Sequence, residues 1–165
     1  MSTTKKMRFM TRSAMIAALY VVLTYVSALL GLSGQGAIQV RFSETLCILP
    51  YFTGAAVPGL TLGCLLANIL TGAHVLDIIF GTLATLLGAC GTHLLRKWRY
   101  LTPLPPIFFN TLIVPFVIRY AYFSQEFALP YLFLTVGIGE VISVGVLGLL
   151  LQFLLEKYRR PLFGA

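Results

Sequence analysis

The stretch FSETLCILPYFTGAAVPGLTLGCLLANILTG, residues Phe42–Gly72, decides the fold of this chain. It is apolar over most of its length and is broken by Pro50, Gly54, Pro58 and Gly59. A bilayer's ~30 Å hydrocarbon core needs about 20 helical residues. The stretch is too long for one straight crossing, so it crosses either once with a surplus or twice with a turn near Gly54. The flanking sequence distinguishes the two.

Further apolar runs cover about Phe9–Leu30, Val75–Leu95, Ile107–Phe123 and Pro130–Leu155. Of the 165 residues, 58% are apolar and 10% charged, whereas an average soluble domain has ~45–50% and ~25%. So few charges cannot cover a soluble surface. The composition excludes an ordinary cytosolic domain, a disordered chain and a nucleic-acid module, and it implies a polytopic membrane protein in the lipid bilayer. The net charge of +7 is concentrated. Ten of the twelve basic residues form three clusters: Lys5, Lys6, Arg8 and Arg12; Arg96, Lys97 and Arg99; Lys157, Arg159 and Arg160. Arg41 and Arg119 stand apart.

Basic loops stay in the cytoplasm. With the N-terminus inside, a single crossing by Phe42–Gly72 puts the second and third clusters on opposite sides. Two crossings put all three inside. The expected fold is therefore an all-α membrane protein, a single integral domain over 1–165. It is a six-transmembrane-helix bundle with both termini cytoplasmic and helices at about 9–30, 44–53, 55–71, 75–95, 105–123 and 130–156. The second helix is short, since ten α-helical residues rise only ~15 Å. It must be tucked among neighbours or extended into the Gly-rich loop before it. A signal peptide is the alternative for the N-terminus. The apolar run is long for one, and no small-x-small cleavage site follows it, so a retained first helix is expected. Cys47, Cys64 and Cys90 lack metal or disulfide spacing and read as small packing residues.

This topology gathers polar residues in the outer half. Arg41 and Glu44 lie at the outer end of helix two, Asn68 near that of helix three, and His74 and Asp77 at the start of helix four. Arg119 closes helix five and Glu126 falls in the outer loop. Glu140 lies nine residues past Tyr131, ~13 Å below the outer surface. An ionisable residue inside a span faces a cavity or a partner. Glu140 has no local counter-charge; it either pairs internally, for instance with Arg119, or lines a pocket open to the outside. Asp77 and Glu44 compete with simpler roles as solvated or helix N-terminal acids. His74 reads as a solvated loop histidine. Asn110, in the inner half, reads as a hydrogen-bonding partner of a neighbouring helix. The pairs Ala14/Ala18, Gly59/Gly63 and Ala84/Gly88 each put two small residues on one helix face, where helices approach closely. There is no P-loop, no H-E-x-x-H, no G-x-S-x-G and no Cys/His metal spacing. A small bundle with an outward polar pocket and no motor fits a binding subunit driven by partners.

The segment Ile38-Gln39-Val40-Arg41-Phe42-Ser43-Glu44-Thr45-Leu46 with Leu49-Pro50 resembles the QueT family. So do Gly59-Leu60-Thr61-Leu62-Gly63-Cys64 with Ala67-Asn68, Asp77-Ile78-Ile79-Phe80-Gly81-Thr82 with Ala84-Thr85, Leu104-Pro105-Pro106 through Asn110, and Gly139-Glu140. The ordered set covers nearly the whole chain. The resemblance implies an S-component, the substrate-binding subunit of an energy-coupling-factor (ECF) transporter, in a prokaryotic plasma membrane. The substrate is then a queuosine precursor, a 7-deazaguanine taken from outside. The resemblance also implies that Ala14 and Ala18 dock on a transmembrane coupling subunit. Two cytoplasmic ATPase subunits would use the ATP and Mg, with no cofactor or metal in this chain. The S-component would topple to carry its pocket inward.

For such a base, N1–H and the exocyclic amine form a two-donor edge suited to one carboxylate, and Glu140 is the first choice. Gln39, Asn68 or Asn110 could donate to the ring carbonyl. Phe80, Tyr25 or Tyr120 could stack on the ring, an interaction worth ~1–3 kcal/mol per base. Asp77 or Glu44 could hold an aminomethyl cation, with Arg41 ordering the gate through Glu44. The rival is an autonomous small proton-coupled transporter using Glu140 and Asp77. An intramembrane enzyme lacks a plausible nucleophile–base pair.

Overall fold

A computed structural model describes residues 3–32, 40–121, 128–159 and 162. Helix α1, Thr3–Leu29, is followed by a 3-10 segment, Phe42–Tyr51. Then come α2 (Ala56–Leu70), α3 (Val75–Leu94), α4 (Leu104–Ala121) and α5 (Leu129–Glu140). Helix α5 continues through a π-helical segment, Val141–Gly148, into α6, Leu149–Glu156. The described residues are helical throughout their regular structure and contain no strand. Among the described residues, four helices are long and apolar enough to cross a membrane: Thr3–Leu29, Val75–Leu94, Leu104–Ala121 and the continuous Leu129–Glu156. Helix α2 has 15 residues, ~22 Å of rise, and falls short of that length.

The decisive stretch forms two segments separated by a turn at 52–55. The first is wound as a 3-10 helix rather than the expected α-helix. At ~2.0 Å per residue, ten residues reach ~20 Å instead of ~15 Å, so tighter winding lengthens the short passage. Runs this long are uncommon because their hydrogen bonds are poorer. Burial offsets the cost here. Ser43, Glu44 and every residue from Leu46 to Pro50 are buried, and Leu46, Cys47, Ile48 and Leu49 form one core with Tyr20, Leu60, Cys64, Ala89 and Val144.

Small residues set the helix spacing. A Cβ on Gly63 would lie 2.7 Å from Tyr20 Cβ, and one on Gly59 would lie 2.8 Å from the Ser13 carbonyl oxygen. The Gly59/Gly63 face of α2 therefore seats directly on α1. On α3, a Cβ on Gly88 would meet Pro106 Cα at 2.8 Å. Pro105 and Pro106 occupy the first turn of α4, where backbone N–H groups have no helical partner to lose. Gly72 has φ of 68° and closes the α2–α3 turn, a conformation that disfavours a Cβ. His74 is exposed, as a solvated loop histidine would be, and it also caps α3 by accepting from Leu76 N at 3.2 Å.

Hydrogen bonds fix which ends of the segments adjoin. Phe42 N donates to Ser27 Oγ at 2.8 Å near the end of α1, and Ser13 Oγ donates to the Ala55 carbonyl at 2.8 Å near its beginning. The 3-10 segment is thus antiparallel to α1. His93 Nδ1 lies 2.9 Å from the Pro50 carbonyl. Thr102 Oγ1 donates to Gln152 Oε1 at 2.8 Å, Gln152 Nε2 donates to the Arg99 carbonyl at 3.1 Å, and Thr92 Oγ1 donates to the Thr102 carbonyl at 2.8 Å. The Arg159 guanidinium lies 5.5 Å from the Tyr51 ring centre. These contacts gather the basic start of α1, the Arg96–Arg99 loop and the basic end of α6 at one end of the bundle.

Candidate functional site

The polar cluster lies among the 3-10 segment and helices α1 to α5. Glu44 projects from the first turn of the 3-10 segment and is 3% exposed. Tyr20 of α1 donates its hydroxyl to Glu44 Oε1 at 2.6 Å. On the other oxygen, Cys47 Sγ donates at 3.1 Å and Asn110 Nδ2 at 3.3 Å. Tyr20, Cys47 and Asn110 are all buried, at 2%, 0% and 3% exposure. An unpaired carboxylate would be costly there, and the three donors offset that cost.

Glu140 ends α5 and is 9% exposed. It lies within hydrogen-bonding reach of Asn110 and within charge range of Glu44 and Arg41. Its Oε2 is buried with no hydrogen-bond partner. An acceptor left over in this way is what a bound donor would complete. The π winding begins directly after Glu140; such segments often accompany functional sites because they shift the register of a helix face. Here Ser143, in the π segment, accepts from Arg41 N at 3.2 Å.

Glu44, Asn110, Glu140 and Arg41 line one small cavity, closed by Cys64, Gly81 and Thr85 on one side and Val114 and Val136 on the other. Its free volume is about 20 Å³, room for about one water molecule. Beside it, Asn68 Nδ2 donates to the Asp77 carbonyl at 3.3 Å, and a Cβ on Gly81 would approach Asp77 Oδ1 to 3.0 Å. Asp77 is 6% exposed and within charge range of Arg41. Among the described residues, no group of three or more His, Cys, Asp or Glu could hold a metal ion.

The structure thus brings together Glu140, Glu44, Asn110 and Arg41, with Asp77 and Asn68 adjoining. It does not bring the expected aromatics there. Phe80 and Tyr120 line a separate apolar groove with Leu76 and Phe116, because on α3 the residues facing inward are Asp77, Gly81 and Thr85, and Phe80 points away from that face. Tyr25 is on the outside of α1 and donates to the Leu70 carbonyl at 3.0 Å. Arg119, in the last turn of α4, is half-buried and does not line the cavity; the cation there is Arg41. Gln39 and Glu126 lie outside the described residues. Ala14 and Ala18 are exposed on α1, whereas Ala17 is buried.

Sequence reasoning missed Tyr20, Cys47 and Cys64. Tyr20 looked like one aromatic among many, and its partner Glu44 lies 24 residues away. The two cysteines are buried, as packing residues would be, but one donates to Glu44 and the other lines the cavity. Cys90 is exposed, not packed.

The fold and the site define a class: an all-helical protein with membrane-length helices and ionisable side chains held in its interior, the pattern of a transported-solute site. The family described as QueT transporter matches residues 10–157, and the chain belongs to that family. Over 73 residues it is 41% identical to the queuosine precursor transporter QueT of Lactococcus lactis subsp. cremoris (strain MG1363). That match covers 44% of this chain and spans 42% of the relative's length. No solved structure matches the chain.

Proposed function

We propose that this chain is the substrate-binding S-component of an ECF-type transporter, capturing a queuosine precursor of the 7-deazaguanine class at the outer face of a prokaryotic plasma membrane. The observation that carries the reading is the buried Glu140 carboxylate with an unpartnered oxygen, held beside Asn110 and Glu44 in a transporter-family chain. The two-donor edge of the base meets Glu140. Glu44 is already engaged by three protein donors and acts as the fixed second anion. Asn110 sits between the carboxylates and can turn its amide to the ring carbonyl.

The cavity is too small for a base, so binding must widen it. Pro115 supports this step. It is buried inside α4 directly after Val114 of the cavity wall, and it removes one backbone hydrogen bond at that point. A locally weakened α4 can swing away from α5 at low cost.

The chain would cross the membrane six times with both termini in the cytoplasm. The gathering of all three basic regions at one end supports this, and the ~20 Å of 3-10 winding lets the second passage be short. Uptake would be driven by a transmembrane coupling subunit docked at Ala14 and Ala18 and by two ATPase subunits using ATP and Mg, with no cofactor in this chain. The rival, an autonomous proton-coupled transporter, draws on the same buried carboxylates. Reconstitution of the purified chain alone in vesicles separates the two: substrate accumulation without partners supports the rival.

The binding test is Glu140→Gln, which keeps the shape but replaces one acceptor oxygen with a donor. Affinity for a 7-deazaguanine, measured by calorimetry in detergent, is expected to fall at least tenfold with the melting temperature retained. Unchanged affinity removes Glu140 from the site.

A further inference from the structure

We propose that the groove between α3, α4 and α5 is a phospholipid site, with an acyl chain in the groove and an anionic headgroup held by Arg96 and Lys97. The groove has about 850 Å³ of free space and is lined by Leu104, Phe108, Leu112, Phe133 and Val141 among others. Thr111 is its sole polar side chain among the lining residues. Glycines shape its walls: a Cβ on Gly91 would lie 2.5 Å from Pro105 Cβ, and one on Gly137 would lie 3.4 Å from Thr111 Cγ2.

Two features select a lipid over a partner helix. The first is depth. From Leu104 to Leu112 is eight residues of α4, ~12 Å, close to the ~15 Å half-thickness of a ~30 Å hydrocarbon core. A groove one leaflet deep matches an acyl chain, whereas a docked helix would need contact across both leaflets. The second is charge. The groove lining includes Gly91 near the end of α3 and Leu104 at the start of α4, on either side of the loop carrying Arg96, Lys97 and Trp98. Arg96 and Lys97 are exposed, and neither forms an ion pair among the described residues. Arg99 is otherwise engaged, with its guanidinium 4.1 Å from the Phe153 ring centre. Trp98 is 59% exposed, as suits a residue at the headgroup level. Basic residues at the mouth of an apolar groove between helices are a recognised arrangement for anionic headgroups. The inference needs only that the α3–α4 loop lies at a bilayer surface, not that the substrate reading holds.

The test is native mass spectrometry of the full chain released from micelles containing phosphatidylglycerol or phosphatidylcholine. One bound phosphatidylglycerol is expected to survive activation that strips phosphatidylcholine. Arg96→Gln with Lys97→Gln should reduce that retention about tenfold or more. Lys5→Gln with Lys6→Gln, which removes the same charge elsewhere at the same end, should leave it intact. Val141→Trp, a change at a half-exposed wall residue, should displace both lipids. Equal retention of the two lipids by the native chain overturns the proposal, as does an equal loss in the Lys5/Lys6 variant or the absence of any retained lipid.

Discussion

Tyr20 of α1 and Glu44 of the 3-10 segment are joined by a 2.6 Å hydrogen bond in which the phenol donates to Oε1, with Tyr20 2% and Glu44 3% exposed. The bond ties the first helix to the polar centre. It also couples packing to the site, because the Tyr20 Cβ is the atom against which Gly63 closes. Removing the hydroxyl while keeping the ring leaves one carboxylate oxygen without a donor in dry surroundings. Such a loss costs ~1–3 kcal/mol, more for a charged group. Tyr20→Phe is therefore expected to lower the melting temperature in detergent and to weaken substrate binding several-fold. Native values of both would mean that the bond neither stabilises the bundle nor orders the site.

Gly63 allows a test of close approach without removing a polar side chain. Its added Cβ would also lie 3.1 Å from Ala17 Cα, so α1 and α2 must separate. Overpacking of this kind costs ~1–3 kcal/mol. Gly63→Ala should melt several degrees lower than the native chain. Gly145→Ala is the control, since a Cβ there meets nothing nearer than 3.7 Å. Equal melting of the two variants would show that the interface relaxes freely.

The membrane character of the chain and the inward-facing acids were legible in the sequence because both depend on strong local signals. Apolar runs mark the long helices, and an acid such as Glu140 within such a run demands a sheltered partner. The 3-10 winding of Phe42–Tyr51 was not legible. No local propensity calls for it; it follows from the length of the gap that ten residues must span within the core. The placement of the aromatics away from the cavity was not legible for a related reason. Phe80 is adjacent to Gly81, but neighbours on a helix point ~100° apart and the cavity takes Gly81. Tyr20 could have been found by asking which phenol shares a face with the buried Ser13 and Ala17, which stand seven and three residues before it along the α1 contact with α2.

Gln152 tests the opposite end of the bundle. It is fully buried and bridges Thr102 Oγ1 and the Arg99 carbonyl, pinning α6 to the α3–α4 loop. Gln152→Leu removes an acceptor and a donor at once and leaves the Arg99 carbonyl with the Thr102 hydroxyl alone, 2.9 Å away. The expected cost is ~1–3 kcal/mol, read as earlier melting and as faster amide exchange in residues 96–103. Substrate affinity should be unchanged, because the network lies away from Glu44 and Glu140. A loss of affinity matching that of Glu140→Gln would instead tie this end to the site.

The exposed face of α1 tests the proposed docking apart from binding. Ala14 and Ala18 lie one turn apart on that face, and neither is buried. Larger side chains there meet no other part of the chain but would hold off a partner helix that packs against small residues. On the proposed ECF-type coupling, Ala14→Leu with Ala18→Leu is therefore expected to leave melting and substrate affinity at native values while abolishing uptake by cells that supply the coupling subunits. Ala17→Leu provides the contrast. Ala17 is 7% exposed and faces Gly63, so the same enlargement should destabilise the bundle itself and lower the melting temperature. Normal uptake by the double variant would remove the docking role from this face. Loss of affinity in the double variant would show that the face acts on the site from within the chain.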